Sequence, residues 1–474
     1  MKKLSMALAI GVLGLSMAGA CFGGATDMNI NIYGASAQVD FWSALAPTYL
    51  NAGAGANCTG APAASCVSFT PSDGTPAGVY YHGAKYTVCE ATGPCTVGGV
   101  AAGDTFRIRV GAYDSDDGIM GVLGQANPGA VDVMNCPTTG TVNGHGLNYR
   151  TLMNTLAGGA APSNLDCFPV TLGAADVSGS TIVQSSEGQL KGPNGPGSVT
   201  HGLSLALGGA AGPAILRDLG DFVANPPTVK TCGAGSVGLT DNHPFIVPFC
   251  FFANKDAKAV GDGLLAANLT NVTKAMAQQI FTGIATDWHQ YFPGGVNPIA
   301  AGAAITGCMR VAGSGTQGAF QSVVIDANKI GPNLPTLDSS ILSNNLWFNN
   351  SSTDMLNCID GTPGAIGFVD CDKALGAHTY PVGGLTYNGV TGNAANIKNG
   401  LYEFFTLEHI FEPSGGYAGN LGAAVSNLLT WSKTNLPASK AGTWTLSNGM
   451  TFSKPTDWVT PPAVGAYDAG TCYE

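Results

Sequence analysis

Thirteen cysteines behind an export leader constrain this chain more than any other feature of its sequence. Lys2 and Lys3 precede an apolar run of 14 residues, Leu4 to Met17, and Ala18-Gly19-Ala20 supplies the small residues of a cleavage site. That is a secretory signal peptide, too short and wrongly flanked for a membrane anchor. No later segment is long and apolar enough to span a bilayer. Cys21 follows the small residues directly, as a lipidated cysteine does, while the leucine usual three positions upstream is missing. Lipid anchor and leader residue both stay open for it. With Cys21 set aside, twelve of the thirteen cysteines remain, enough for six disulfides in an oxidising compartment. The close pairs Cys58/Cys66 and Cys89/Cys95 suit small loop staples. No Cys-x-x-Cys occurs and no histidine sits at ligand spacing from a cysteine, so neither a metal site nor a haem is expected.

The rest of the composition narrows the class. Only 10% of residues are charged and 68 of 474 are glycine, against about 25% charged in an ordinary globular chain. Aliphatic and aromatic residues are plentiful and the polar stretches do not repeat, which reads as loop-rich globular structure. The net charge of −11 and the lack of a basic patch argue against nucleic acid or an anionic membrane as partners. They do not argue against a small anion, whose donors need only be local.

Strand and helix patterns alternate along the chain, so the fold class is α/β. Ile30 to Tyr33 alternates like a short strand and runs into Gly34-Ala35-Ser36-Ala37; Phe41, Trp42, Leu45 and Leu50 follow at helical spacing. Phe106 to Val110 is a second strand, and Asp114-Ser115-Asp116-Asp117-Gly118 after it reads as a solvated acidic turn. Pro244 to Ala253 is a buried-strand run. Leu269 to Phe281 is a helix by the spacing of Leu269, Val272, Met276 and Ile280, with Gly283 as its stop. Gly364 to Asp370 is a short strand and Asn420 to Lys433 an amphipathic helix. Residues 51–103 and 126–198 read as disulfide-stapled, glycine-rich insertions.

The stretch Arg310 to Gly318 carries the chemistry. A strand, Met309 to Val311, feeds a Gly/Ser/Thr turn that opens a helix, whose first N–H groups have no internal partner. Those donors and the positive end of the helix make an anion site. Ser314 and Thr316 add hydroxyls, Arg310 can grip two oxygens with its planar fork, and Gly313 and Gly315 let the backbone approach closely. The alternative is a glycine-rich helix start with Arg310 on the surface. Gly-x-Ser-x-Gly fails at Ser314, and the seven histidines, His243 and His409 among them, are scattered singly. Nothing pairs a base with a nucleophile, so no enzyme is expected and no cofactor.

Four stretches in order give a family resemblance. Arg310 to Phe320 (RVAGSGTQGAF) resembles the Arg-x-x-Gly-Ser-Gly-Thr element of periplasmic phosphate-binding proteins, the solute receptors of phosphate ABC transporters. Gly34 to Ala37, Asn268 to Trp288 and Thr362 to Asp370 resemble further motifs of that family. The resemblance implies two α/β lobes with the anion in the cleft between them, as in a type II periplasmic binding protein. It implies ligand donors from Arg310, Ser314, Gly315 and Thr316 in the second lobe, and from Gln38, the Val39 backbone N–H and Ser115 in the first. In the stretch Gly202 to Leu205, Leu205 stands where the family carries an aspartate that accepts a proton from monohydrogen phosphate. Sulfate therefore stays open as the anion, and one of Asp114, Asp116 and Asp117 is a candidate for the missing acceptor.

The expected organisation is a signal peptide over 1–25, a first lobe over 26–246, a second lobe over 247–374 and a return to the first lobe over 375–474. The expected function is capture of phosphate or a related oxyanion by an exported monomer, in the periplasm, on the cell surface or secreted, for delivery to an inner-membrane ABC permease. The competing reading is a secreted or surface interaction protein that kept the fold without the ligand.

Overall fold

The computed structural model describes residues 27–60, 64–70, 84–123, 136, 140–142, 145–147, 149–179, 181, 203–204, 239–254, 268–295, 298–310, 313–325, 346–349, 351–373, 384–454, 457 and 463–464. The leader, Cys21 and Leu205 lie outside them.

Two sheets of seven strands each organise the chain. In the first, Met28–Gly34 lies parallel to Thr105–Ala112 on one side and to Leu172–Ala175 on the other. Antiparallel strands extend it outward, Lys85–Thr92 and Ser65–Phe69 at one edge, His409–Pro413 and Leu239–Asn242 at the other. The second sheet is centred on Thr306–Arg310, parallel to both Leu346–Asn349 and Ala365–Asp370. Phe245–Ala253 pairs antiparallel with Ala365–Asp370 along its later residues and, near its start, with Phe405–Leu407 and Thr445–Leu446. All nine residues of Phe245–Ala253 are buried, which is why that run is continuously apolar rather than alternating.

Two of the chain's crossings between the sheets lie at adjacent points. Leu239–Asn242 ends in the first sheet, His243-Pro244 makes the crossing, and Phe245 begins the second. Phe405–Leu407 returns the favour, with Glu408 alone between it and His409–Pro413. The Glu408 N–H donates to the Phe245 carbonyl at 3.0 Å, tying the crossings together. An aromatic stack covers this junction: the Phe41 ring lies 3.6 Å from Phe245, and Trp444 lies within 6 Å of both.

Several expectations need correcting. The stretch 51–103 is not a loop insertion, since it supplies Ser65–Phe69 and Lys85–Thr92 to the first sheet. Likewise 126–198 contains the antiparallel pair Tyr149–Met153 and Leu165–Pro169 and the sheet strand Leu172–Ala175. The stretch 375–474 does not return wholly to the first lobe, because Phe405–Leu407 and Thr445–Leu446 belong to the second sheet. The helix expected over 269–281 begins only at Lys274. Thr273 caps it by accepting the Met276 N–H at 3.1 Å, and Asn271–Val272 before it pairs as strand with Thr386–Tyr387. A capping hydroxyl ends the helical run more decisively than apolar spacing extends it.

The disulfides are nested, not adjacent. Cys58 joins Cys95 and Cys66 joins Cys89, because Ser65–Phe69 and Lys85–Thr92 are antiparallel and set Cys66 opposite Cys89. Cys136–Cys167, Cys250–Cys371 and Cys308–Cys358 complete those among the described residues.

Candidate functional site

Four helices begin where the carboxyl ends of the two central strands face one another: Ser36–Asn51 and Ser115–Leu123 from the first sheet, Gly315–Ala319 and Ser352–Gly361 from the second. The latter two follow a serine cap, whose hydroxyl satisfies an unpaired N–H group of the first turn, while the former two start on a serine whose hydroxyl faces the other sheet's residues. Ser314 accepts the Gln317 N–H and Ser351 the Asp354 N–H. The positive ends of four helix dipoles thus meet, and anions favour such a place.

Arg310, the last residue of its strand, lies in the middle and is 1% exposed. Its guanidinium reaches both lobes. One Nη donates to Ser352 at 3.1 Å and to Ser36 at 3.4 Å, and the other to the Asp114 carboxylate at 3.1 Å. Its own N–H donates to the Gln317 side-chain oxygen, while Gln317 Nε2 is buried with no partner among the described residues. The lobes also touch at Ser115, whose hydroxyl accepts the N–H groups of Gly315 and Asp176, each at 3.1 Å. A Cβ at Gly315 would sit 2.2 Å from that hydroxyl, and one at Gly313, where φ is +83°, would meet the Asp116 carboxylate at 2.6 Å. Both glycines are therefore required for closure.

Acids line the far side of the site. Asp176 accepts the Thr316 hydroxyl at 3.2 Å. Burial, with Asp370 beside it and Arg310 opposing, raises its pKa to about 7. Burial likewise pushes Glu408 well above the carboxylate range, helped by Asp176 and Asp370, and burial raises Asp370 too. Beyond them Lys373 binds Asp40 and lies 3.5 Å from Asp370. This places a cationic bridge from the second sheet onto the Ser36 helix.

Of the residues expected here, the structure brings Ser115, Arg310, Ser314, Gly315 and Thr316 together. It does not bring Gln38 and Val39. The Gln38 amide is spent within the first lobe, donating to the Ala175 carbonyl and accepting from the Trp42 indole. Val39 is 3% exposed and lies beyond the first residues of its helix, which own the leftover N–H groups. Ser36 takes their place. The acidic turn is not solvated either: Asp114, Asp116 and Asp117 are each 1% exposed, with Asp114 on Arg310 and Asp117 held by Arg150 at 2.8 Å. Sequence reasoning missed Ser36, Ser352, Asp114 as the Arg310 partner, and Asp176. Ser36 lies inside the Gly34–Ala37 motif itself, and Ser351 three residues before Asp354 is a helix-start signal. Asp176 carries no local signal.

An open groove of about 530 Å³ lies at the opposite end of the first sheet, around Asp27, Arg107, Arg109 and Leu421. Its cations are already partnered. Arg107 pairs with Asp27 and Glu90, and Arg109 donates to the Met153 and Asn154 carbonyls.

Residues 242–416 match a family model described as a PBP superfamily domain. That span runs from the first crossing to just past the second and includes Arg310. Among solved structures, the chain is similar to a candidate phosphate ABC transporter substrate-binding protein with bound phosphate from Clostridium perfringens, at 11% identity and a TM-score of 0.42, over 88% of this chain and 98% of that one. It is also similar to an ABC-type phosphate transport receptor from Vibrio cholerae, at 17% identity and a TM-score of 0.28, over 40% of this chain and 66% of that one. A phosphate-binding protein from Stenotrophomonas maltophilia gives 13% identity and a TM-score of 0.30, over 42% and 63%. A comparison with functionally curated proteins finds no match.

Proposed function

From a chain whose residues 242–416 match a PBP superfamily domain, we propose an exported solute-binding protein that closes its two lobes on phosphate or a closely related oxyanion and presents it to an ABC permease. One observation carries this reading: a buried guanidinium held at the meeting point of four helix starts, two from each sheet. Ser36, Ser115, Arg310, Gly315, Thr316 and Ser352 are the proposed donors. In the closed form they are turned on one another, and an oxyanion would take over those bonds. Lobe closure by a hinge suits donors that converge only when both halves meet, and the paired crossings at 243–244 and 408 are the proposed hinge.

The acids in the site bear on which anion binds. Asp114 beside Arg310 supplies the acceptor that Leu205 does not. A carboxylate repels a fully deprotonated oxyanion and accepts a hydrogen bond from a protonated one. We therefore favour monohydrogen phosphate over sulfate.

Calorimetric titration of the ligand-stripped protein with phosphate and with sulfate tests this directly. One-site phosphate binding should weaken at least a hundredfold in Arg310→Ala, in line with the roughly 2–5 kcal/mol lost when one partner of a buried charge pair goes. Asp114→Asn should narrow the gap between phosphate and sulfate. If no oxyanion gives heat, the receptor reading is wrong and the chain is an interaction protein built on the same fold.

A further inference from the structure

A second cluster sits at the crossings and belongs to neither the oxyanion site nor its donors. Asp241 lies one residue before the end of the first-sheet edge strand, His243 is the first residue of one crossing, and His409 is the first residue after the other. Asp241 and His409 are 168 residues apart in the chain, yet Asp241 Oδ2 lies 2.8 Å from His409 Nδ1 and 3.0 Å from His243 Nε2. The two ring nitrogens are 3.2 Å apart, with the rings at 83°. All three side chains are 3% exposed or less.

Hydrogen bonding accounts for this triangle only in part. If both nitrogens donate to Oδ2, two donors face each other at 3.2 Å. If one gives up its proton, its lone pair faces a carboxylate oxygen or a neighbouring ring nitrogen. Three lone-pair atoms aimed at one point are the geometry of a metal set. An ion held at about 2.1 Å from each, the usual distance for imidazole nitrogen and carboxylate oxygen, would lie about 1 Å off the plane of the triangle. Asp241 Oδ1 is buried and has no hydrogen-bond partner among the described residues, which leaves it available as a fourth donor. The residues fit around the group without moving: Asp241 is backbone-paired with Phe411, so the antiparallel register sets His243 beside His409.

The geometry points to a binding site for one divalent transition-metal ion of the zinc, cobalt or nickel class, held facially by Asp241, His243 and His409. Two imidazoles and one carboxylate select these ions over calcium or magnesium, which prefer all-oxygen sets. The ion would join the two crossings directly, because His243 lies on one and His409 immediately follows the other.

Cobalt(II) titration of the chelator-stripped full chain, in buffer free of phosphate, reads the site through its visible absorption. One ion per chain is expected, with affinity reduced at least tenfold in His409→Gln and in Asp241→Asn. His289→Gln, whose imidazole lies against the Ile299 carbonyl, should bind as the parent does. Wild-type uptake below one ion per chain, or unchanged affinity in both cluster variants, would overturn the proposal. Should those variants not fold, X-ray absorption of the zinc-loaded wild type decides: two imidazoles in the first shell support the site, and fewer than two refute it. Phosphate calorimetry run separately in chelator keeps failure here distinct from failure of the oxyanion reading.

Discussion

Asp176 and Asp241 are both buried carboxylates beside the crossings, yet the first holds its proton up to about pH 7 and the second releases it near pH 2. Burial pushes both upward by removing water from the charged form. Around Asp176 the nearby charges are largely acids, Asp370 and Asp114, and the single cation Arg310 is shared with Asp114. Around Asp241 two imidazoles converge on one oxygen and outweigh the cost of burial. Partners within about 3 Å, and not depth in the molecule, decide the sign. The same chain, poor in charge, has thus built one pocket short of cations and one in which two imidazoles meet a single carboxylate oxygen.

The largest effect expected from disturbing this contrast is at Arg310. Removing one partner of a buried pair leaves an uncompensated charge and costs about 3–5 kcal/mol. Arg310→Met should lower stability by that order in denaturant unfolding with disulfides intact, and Arg310→Met with Asp114→Leu should recover most of it. A single variant as stable as the parent would show that the Asp114–Arg310 pair is not what organises the site.

Next comes the pH dependence of the acid-rich side. The folded-state pKa of Asp176 lies above its unfolded value, so the folded chain keeps the proton longer. Stability then falls as pH rises from about 4 to about 7. Asp176→Asn removes that ionisation and should match the parent near pH 4 while exceeding it at pH 8, by at most about 4 kcal/mol. An unchanged slope would mean that Glu408, not Asp176, carries the shift.

Asp241 should behave in the opposite sense and more weakly. Its folded-state pKa is depressed to about 2, so its contribution is present above the unfolded value and is lost as pH falls toward 2. Asp241→Asn should cost about 2 kcal/mol at pH 7 and flatten the acid limb. If both aspartate variants shift stability in the same direction at pH 8, the contrast between the clusters fails.

Much of the second sheet is legible in the sequence, and the reason is locality. Phe245–Ala253 is one apolar run, and Arg310 to Thr316 places strand end, turn and helix start within seven residues. The first lobe is harder. Its strands Ser65–Phe69 and Lys85–Thr92 sit in glycine- and cysteine-rich surroundings that look like loop, and only their pairing with Thr105–Ala112 makes them sheet. The cysteine partners follow that pairing, so spacing alone misassigns Cys58 and Cys89. Asp114 reads as a surface turn residue because acids usually are one, and a guanidinium 196 residues away helps to make its burial tolerable. The two histidines at the crossings are invisible for the same reason: nothing in the sequence announces that 243 and 409 are neighbours.

The smallest test reaches into the site without touching its charges. Thr316 is the one hydroxyl that donates to Asp176 among the bonds described, and that bond pulls the Asp176 pKa down against burial. Thr316→Val keeps the shape and deletes the donor, so the carboxylate should hold its proton to a slightly higher pH. The expected shift is upward by less than about one pKa unit, since a single hydrogen bond is worth about 1 kcal/mol. Carbon-detected NMR titration of the Asp176 carboxyl reads it without an unfolding experiment. A downward shift, or one of several units, would mean that the Thr316 hydroxyl acts through the helix start and not through Asp176, and the two clusters would then differ by more than their nearest partners.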